Sequence, residues 1–275
     1  MKSNISISKV YLVGAGPGAA DLITVRGAKL LEKANIVFHD ALVEPEMLAL
    51  CPQAELVAVG KRCGKLSSAQ HFINKRLVDA AEKHQIVVRL KGGDPMLFGR
   101  ADEEIRSLKD AGIEIEVVPG ITAALAGAAS IQQSLTLRGV SRSVAFITLA
   151  QAESTEKSIA NQPISNPNAD TLVYYMGRKD AAKIAKQLIE RSLQGGIHHK
   201  NTPVQILEGV STVRERLWSS TLAELANGKA DEWFDSSSPA LIMVGEALRE
   251  SESSSSKIDN RLQDSQILTS GRRCA

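Results

Sequence analysis

The chain has 275 residues, of which 43% are hydrophobic and 23% charged, enough to build the apolar cores of about two globular domains. Its 33 basic and 31 acidic side chains leave a formal net charge of +2, which argues against binding to nucleic acid or a membrane through an overall electrostatic field. No apolar run approaches the roughly 20 residues that span a bilayer, and the polar stretch 1–9 does not resemble a signal peptide. The three cysteines lack metal-ligand spacing, so we expect reduced thiols, no metal site and a cytoplasmic protein.

The first 120 residues alternate short β-branched runs with helical patterns. This alternation predicts an α/β domain over residues 9–120, with parallel strands joined by right-handed crossovers. A helix is predicted over 24–34, with Thr24 as its N-cap. The predicted strands of this domain are 10–14, 36–39, 55–59, 86–90 and 113–118.

A second α/β domain is predicted over residues 121–248, after a break at Pro119-Gly120. It begins with a helix rich in small residues at 121–130. The segment 213–219 follows closely on a strand, so the sequence predicts a hairpin and therefore a mixed sheet. The predicted strands are 144–149, 171–175, 203–207, 214–218 and 240–244. Two polar segments, predicted as a surface loop and a disordered tail, lie at 151–169 and 249–275.

The stretch VYLVGAGPGA at 10–19 is a strand that runs into a glycine-rich turn. The turn fits the G-x-G-x-x-G/A pattern of dinucleotide-binding proteins, and Asp40 ends the next strand, so a nicotinamide-dependent dehydrogenase is one interpretation. Two features count against it. Pro17 has no N–H to donate to a pyrophosphate, and the helix begins only near Thr24, which moves its N-terminus away from the loop.

A second glycine turn occurs in VVRLKGGDPMLFGR at 87–100, where another predicted strand ends in two glycines and the carboxylate of Asp94. In an open α/β sheet, turns at the carboxyl ends of the strands surround the usual ligand crevice. We therefore expect both glycine turns to face one common site.

Eight stretches resemble, in chain order, motifs of the tetrapyrrole methylase family, in particular of its members that methylate uroporphyrinogen III. The match runs from about residue 9 to 248 and is most specific in the first half, where G-G-D-P and P-G-I-T-A-A occur together. The eight stretches are V-G-A-G-P-G at 13–18, I-V-F-H-D-A-L-V at 36–43, G-K-R-C-G at 60–64, V-V-R-L-K-G-G-D-P at 87–95, F-G-R at 98–100, P-G-I-T-A-A at 119–124, T-L-V-Y-Y-M-G at 171–177 and P-A-L-I-M-V-G at 239–245.

The resemblance implies two α/β domains with S-adenosylmethionine bound in the cleft between them, a homodimer, and methylation of uroporphyrinogen III to precorrin-2. It leaves open whether the product serves sirohaem, cobalamin or haem d1 synthesis. The glycines would let backbone amides approach the cofactor closely. The cofactor-binding residues that the resemblance implies are Pro17, Gly92, Gly93, Asp94, Leu97, Thr122, Ala123, Met176 and Val210.

The same resemblance implies a cationic surface for the carboxylates of the substrate. Lys61, Arg62, Arg100, Arg138 and Arg142 lie in or beside the matching motifs. Of these, Arg62 and Arg138 are assigned to substrate binding, as is Glu103, which is expected to fix the Arg100 side chain from one helical turn away. The candidates for proton handling are Asp40, Lys61 and Arg100, although an arginine is a poor base.

Simpler interpretations stay open for these charged residues. Asp40 could cap the turn after its strand, and Lys61, Arg62 and Lys65 could form a solvated loop. Arg138 and Arg142 could be surface charges.

The chain also departs from the family pattern. Leu137 stands where the family usually has the histidine of Leu-Thr-His-Arg, and Thr148-Leu149-Ala150 stands where it usually has Thr-Gly-His. Ala101 and Val210 stand where it usually has glycine. Val210 would then either crowd the cofactor or be accommodated by a moved loop. Three alternatives remain: a methylase acting on a later precorrin, the dehydrogenase considered above, and a protein that binds tetrapyrrole without turnover.

Overall fold

The computed structural model describes residues 8–59, 66–149 and 166–249. Most of the predicted surface loop at 151–169 and nearly all of the predicted tail at 249–275 lie outside these residues. So do Lys61, Arg62 and Lys65, together with Ala150.

The first sheet contains five parallel strands in the order β3-β2-β4-β1-β5, which confirms the parallel sheet predicted for the first half. Its strands are β1 (Lys9–Gly14), β2 (Ile36–His39), β3 (Glu55–Ala58), β4 (Ile86–Lys91) and β5 (Glu114–Val118). The helices around it are α1 (Val25–Leu31), α2 (Pro45–Leu48), α3 (Leu66–Ala81) and α4 (Ala101–Asp110), with a short 3-10 helix at Ala20–Leu22.

The central strands are buried on both faces, as expected for a parallel sheet covered by helices. One face packs Leu12 and Phe38 against α3 and α4, and the opposite face packs Val13 and Leu90 against α1. The predicted cap of α1 is confirmed, because the Thr24 hydroxyl accepts a hydrogen bond from the backbone N–H of Gly27 at 3.1 Å.

The second sheet has the order β6-β7-β10-β8-β9, and only its β6–β7 pair is parallel. The predicted hairpin and mixed sheet are therefore confirmed. The strands are β6 (Val144–Thr148), β7 (Thr171–Tyr175), β8 (Pro203–Glu208), β9 (Arg216–Thr221) and β10 (Ala240–Gly245). The helices are α5 (Ala123–Ser130), α6 (Ala181–Ser192) and α7 (Leu222–Ala226), with 3-10 helices at Arg178–Asp180 and Glu246–Leu248.

The predicted first residues of one strand and one helix are each wrong by two positions. β9 begins at Arg216 instead of residue 214, because the loop after β8 turns with left-handed backbone at Gly209 and Ser211. α5 begins at Ala123 instead of residue 121, because Thr122 has the extended backbone of an N-cap. None of the helices within the described residues is long and apolar enough to cross a membrane.

Candidate active site

The two glycine turns pair directly with each other. The N–H of Gly93 donates to the carbonyl of Gly16 at 2.7 Å, and the N–H of Gly16 donates back to the carbonyl of Gly93 at 3.2 Å. Both glycines have left-handed φ, +79° at Gly16 and +71° at Gly93, which this tight bridge requires. The turns that follow β1 and β4 therefore form one structure at the carboxyl edge of the first sheet.

A third turn, after β5, packs against these two turns. A Cβ added at Gly120 would lie 2.3 Å from the carbonyl oxygen of Gly93 and 2.8 Å from the Cα of Gly14. The Asp94 carboxylate connects the turns, because Oδ2 accepts from the N–H of Gly120 at 2.9 Å and Oδ1 from the N–H of Met96 at 2.8 Å. Asp94 thus fixes the backbone of this edge, a role that the motif alone did not reveal.

Gly92 differs from the glycines around it. It is exposed, and among the described residues a Cβ added there would meet only the Cβ of Leu42, at 3.5 Å. Its backbone therefore borders open space, which is the environment expected where a ligand approaches the main chain closely.

Tyr175, at the end of β7, joins the second domain to this edge. Its hydroxyl lies 2.6 Å from the hydroxyl of Thr122 and accepts from the N–H of Ala124 at 3.1 Å. Its ring contacts Phe98 edge-on, with the centroids 5.2 Å apart, and burial raises the pKa of its hydroxyl. We did not single out Tyr175 from the sequence; the available signal was a hydroxyl-bearing aromatic residue directly before Met176.

The loop after β8 packs against the first glycine turn. The Ser211 hydroxyl accepts a hydrogen bond from the N–H of Ala19 at 3.1 Å, and a Cβ added at Gly18 would lie 2.6 Å from Cγ2 of Thr212. The Val210 side chain is buried in the core of the second domain with Leu207. Its carbonyl oxygen, rather than its side chain, faces Gly18.

The region where the glycine turns of the first domain meet Tyr175 and the Ser211 loop of the second domain, called the cleft from here on, contains unusual backbone. Four non-glycine residues adopt left-handed conformations there: Phe98, Arg100, Met176 and Ser211, with φ between 53° and 60°. Such values are uncommon for side-chain-bearing residues and cluster at functional sites.

The strand order is not that of a dinucleotide-binding fold. In that fold β1 and β2 are neighbours, so the acid after β2 lies beside the glycine loop. Here β4 separates them, and Asp40 follows a strand that pairs with β3 and β4. The helix after the loop also begins only at Val25, beyond a 3-10 turn. The dehydrogenase interpretation is therefore not supported by the geometry.

Asp40 lies at the carboxyl end of β2, and its side chain is 30% exposed. Its Oδ1 accepts from Nη2 of Arg89 at 2.5 Å. Arg100 pairs with Glu103 through two contacts of 2.6 and 2.7 Å, which confirms the expected fixing of the arginine by this glutamate. The pairing raises the pKa of Arg100 and so disfavours loss of its proton.

A buried cluster of charges lies behind Asp40. The side chains of Arg89, Lys91 and Glu104 are 3%, 4% and 0% exposed. Glu104 accepts from Nε of Arg89 at 3.1 Å, from Nζ of Lys91 at 3.2 Å and from Nε2 of Gln70 at 3.2 Å. Burial lowers the pKa of Lys91. Sequence reasoning missed this cluster, although two cations at alternate positions of an apolar strand were its visible signal.

Residues 9–226 match the family model of tetrapyrrole (corrin/porphyrin) methylases. The chain belongs to the tetrapyrrole methylases.

Individual relatives agree with this assignment. The chain is 41% identical over 241 residues to a uroporphyrinogen-III C-methyltransferase from Synechocystis, covering 87% of this chain and 89% of that protein. It is 39% identical to a siroheme synthase from Psychrobacter over 89% of this chain, but spans only 48% of that longer protein. A crystal structure of uroporphyrin-III C-methyltransferase from Thermus thermophilus complexed with S-adenyl homocysteine is 36% identical, with a TM-score of 0.71 over 89% of this chain and 96% of that one.

The other candidate residues of this tetrapyrrole methylase lie on the glycine turns, at the start of α5, after β7 and on the turn before β6. Thr122 and Ala123 begin α5 beside the glycine turns, whereas Met176 is exposed at the end of β7. Pro17 and Leu97 are half-buried on the two turns. Arg138 is exposed on a tight turn closed by the pairing of Leu137 with Ser141, and Arg142 is exposed just beyond it. Within the described residues there is no group of three or more potential metal ligands.

Proposed function

We propose that this tetrapyrrole methylase transfers methyl groups from S-adenosylmethionine to ring carbons of uroporphyrinogen III, with precorrin-2 as the product. The observation that supports this most directly is the meeting of three glycine turns at one sheet edge, beside Tyr175 of the second domain. The backbone at Gly92 is left open on that edge. The similarity to methyltransferases of this activity, reported above, supports the same conclusion.

The residues at this edge suit a sulfonium nucleoside. Gly92 offers its backbone without a side chain in the way, so a cofactor hydroxyl or ammonium group can approach it closely. Gly93, whose N–H and carbonyl pair with Gly16, would contact the cofactor through its Cα. Leu97 and Met176 supply apolar surface for the adenine and the thioether. The remaining proposed contacts are with Pro17, Asp94, Thr122, Ala123 and Val210, of which Val210 would act through its backbone.

When bound, S-adenosylmethionine supplies a methyl group on a sulfur that is already a good leaving group. The protein must therefore align the attacking carbon with the methyl–sulfur bond, and this orientation is the main contribution we assign to the chain. The interlocked turns favour it, because backbone hydrogen bonds and close contacts fix them before any ligand arrives.

The substrate side of the cleft combines apolar surface with cations. Leu42 and Met96 are exposed near Gly92, and their apolar surface suits the faces of the pyrrole rings. We assign Arg100, which is paired with Glu103, to binding of a substrate carboxylate in a charge-assisted contact. We assign the same role to Arg62 and Arg138, whereas Lys61 is a candidate for both anion binding and proton handling.

Asp40 is the best candidate for the proton acceptor. Attack by a ring carbon leaves a cationic macrocycle, which is a strong enough acid to protonate a carboxylate. Asp40 reaches the surface at the correct edge of the sheet, whereas Arg100 is stabilised as a cation by Glu103. A proton transfer to Asp40 is therefore the simplest way to complete the reaction.

We also propose that the protein is a homodimer in a reducing cytoplasm. An apolar groove of about 470 Å³ lies along α5 and is lined by residues that include Leu125 and Phe146, both exposed. Leu137 and Val140 are exposed on the turn that connects two lining residues of the groove, Thr136 and Val144. Light scattering should give twice the chain mass. Leu125→Glu should give one chain mass, and Leu193→Glu, at an exposed site on the end of α6, should leave the dimer intact.

Turnover tests the proposal directly. The protein is incubated with uroporphyrinogen III and methyl-labelled S-adenosylmethionine under reducing conditions, and labelled products are separated by chromatography. Mono- and dimethylated products are expected, and Asp40→Asn should reduce both at unchanged affinity for S-adenosylhomocysteine. Absence of both products from a folded protein that binds S-adenosylhomocysteine would overturn the assignment of substrate.

A second candidate is methylation of a later precorrin. It is favoured by Leu137 and Ala150, which stand where the family usually has histidines. The same assay with a methylated precorrin as substrate separates the two candidates by their products.

A further inference from the structure

Arg89 connects the core of the first domain to Asp40. Its Nη2 donates to Oδ1 of Asp40 at 2.5 Å, while its Nε donates to Oε1 of Glu104 at 3.1 Å on the opposite side. Its Nη1 donates to the carbonyl of Leu90 at 3.1 Å. The guanidinium is thus held from several directions within a side chain that is only 3% exposed.

The charges of the cluster are balanced, but they are not equally buried. Arg89 and Lys91 provide two cations, and Glu104 and Asp40 provide two carboxylates. Three of these side chains are at most 4% exposed, whereas Asp40 is 30% exposed. Glu104 alone cannot balance two cations, so Arg89 takes its second carboxylate from Asp40, which lies at the exposed end of the cluster.

The contacts of Asp40 divide its carboxylate into two different oxygens. Oδ1 is engaged by Arg89, whereas no hydrogen bond reaches Oδ2 from any residue in the described ranges. A carboxylate held at one oxygen has a fixed orientation for the other. This is the arrangement needed by a group that must accept a proton at a defined position.

We propose that Arg89 is a positioning residue for methyl transfer: anchored by Glu104, it fixes the Asp40 carboxylate at the cleft so that Oδ2 accepts the proton released by the methylated ring. This inference rests on the proposed function of Asp40. Glu104 acts only through Arg89, because it orients the guanidinium and does not approach the cleft itself.

Arg89→Lys is the informative variant. Lysine keeps the buried positive charge that Glu104 requires, so the protein should fold, but one ammonium on a flexible stem cannot reproduce the fixed fork between two carboxylates. We expect kcat to fall about 10- to 100-fold. KM for the tetrapyrrole and the Kd of S-adenosylhomocysteine, measured by calorimetry, should change less than about twofold, because the glycine turns are untouched.

A double-mutant cycle separates positioning from general damage. If Arg89 acts through Asp40, then Arg89→Lys should cause little further loss of kcat in the Asp40→Asn background. If the two losses multiply, Arg89 does not act through Asp40 and the inference is wrong. It is also wrong if either single variant keeps the wild-type kcat.

Arg178→Lys provides the matched control. Arg178 also donates to backbone carbonyls, among them that of Ser238 at 3.1 Å, but it lies in the second domain. The kcat of Arg178→Lys should equal that of the wild type. Circular dichroism should show that all variants are folded. A wild-type protein without turnover would instead contradict the proposed function, so failures of the two proposals are distinguishable.

Discussion

The buried charge cluster and the glycine turn both begin on β4, but different interactions hold them together. Arg89 and Lys91 of β4 form the buried charge cluster, and the next residues, Gly92 and Gly93, form the glycine turn. The turn is held by main-chain contacts so close that most side chains are excluded. The cluster is held by side chains whose sizes matter less than their charges.

The comparison teaches that the two halves of the site should fail for different reasons. A substitution in the turns acts through steric conflict, which does not depend on charge. A substitution in the cluster leaves a buried charge without its partner, even when the shape is preserved. Isosteric and charge-neutral variants can therefore distinguish them.

The largest effect is expected for Glu104→Gln. The variant preserves size but removes the buried carboxylate that faces both Arg89 and Lys91, and breaking such a pair costs about 3–5 kcal/mol. Urea unfolding measures the loss. Glu103→Gln, on the neighbouring residue, removes only an exposed ion pair with Arg100 and should cost about 0–1 kcal/mol. Equal losses in the two variants would contradict the cluster's electrostatic role.

The next effect concerns Gly120→Ala, whose Cβ would collide with backbone atoms of Gly93 and Gly14. We expect a loss of about 2–3 kcal/mol in unfolding free energy. Gly92→Ala is the control, because the φ of Gly92 is not left-handed and the added Cβ would meet, within the part of the chain that the structure describes, only Leu42 at 3.5 Å. It should unfold like the wild type while binding S-adenosylhomocysteine at least about 10-fold more weakly, a difference of about 1.4 kcal/mol. Unchanged binding would remove Gly92 from the cofactor site.

A smaller effect is expected for Tyr175→Phe. The change leaves Thr122 and the N–H of Ala124 without the hydroxyl between them, at a cost of about 1–2 kcal/mol. Tyr11→Phe is the matched control on β1, since no hydrogen bond of the Tyr11 hydroxyl occurs within the described residues. Thermal unfolding compares the two. If both variants melt together, the bridge between the domains contributes nothing.

The smallest effect is a pH dependence in the second domain. Burial lowers the pKa of His198, whose Nε2 lies 2.8 Å from the carbonyl of Ala169. The unfolded chain binds this proton near pH 6.5, so the stability that the neutral ring contributes is present above that pH and is lost as pH falls through it toward the folded pKa. His198→Gln should flatten the dependence of unfolding free energy between pH 7 and 5.

Local features of the fold could be predicted from the sequence because they depend on neighbours in the chain. The Thr24 cap and the strand 36–39 follow from residue type and periodicity alone. The meeting of the glycine turns was also predictable, since parallel strands bring their carboxyl ends to one edge. The position of β4 between β1 and β2 was not, because strand order is decided by packing across the whole sheet.

The charge cluster and the inter-domain bridge could not be predicted for a related reason. Arg89 and Asp40 are 49 residues apart, and Thr122 and Tyr175 are 53 apart. Nothing in local periodicity links such pairs. The direction of the Val210 side chain likewise could not be predicted, because it depends on the conformation of the loop after β8. The structure places this side chain in the core of the second domain.

The left-handed residues around the cleft have a consequence for engineering. Phe98, Arg100, Met176 and Ser211 each hold a backbone conformation that costs about 1 kcal/mol or more for a residue with a side chain. Thermostability selected without regard to turnover would tend to relax these loops toward glycine or ordinary helical geometry. Stability gained in these loops would change the shape of the cleft. Stabilising substitutions should therefore be made in α6, α7 and the solvent-facing strand β9.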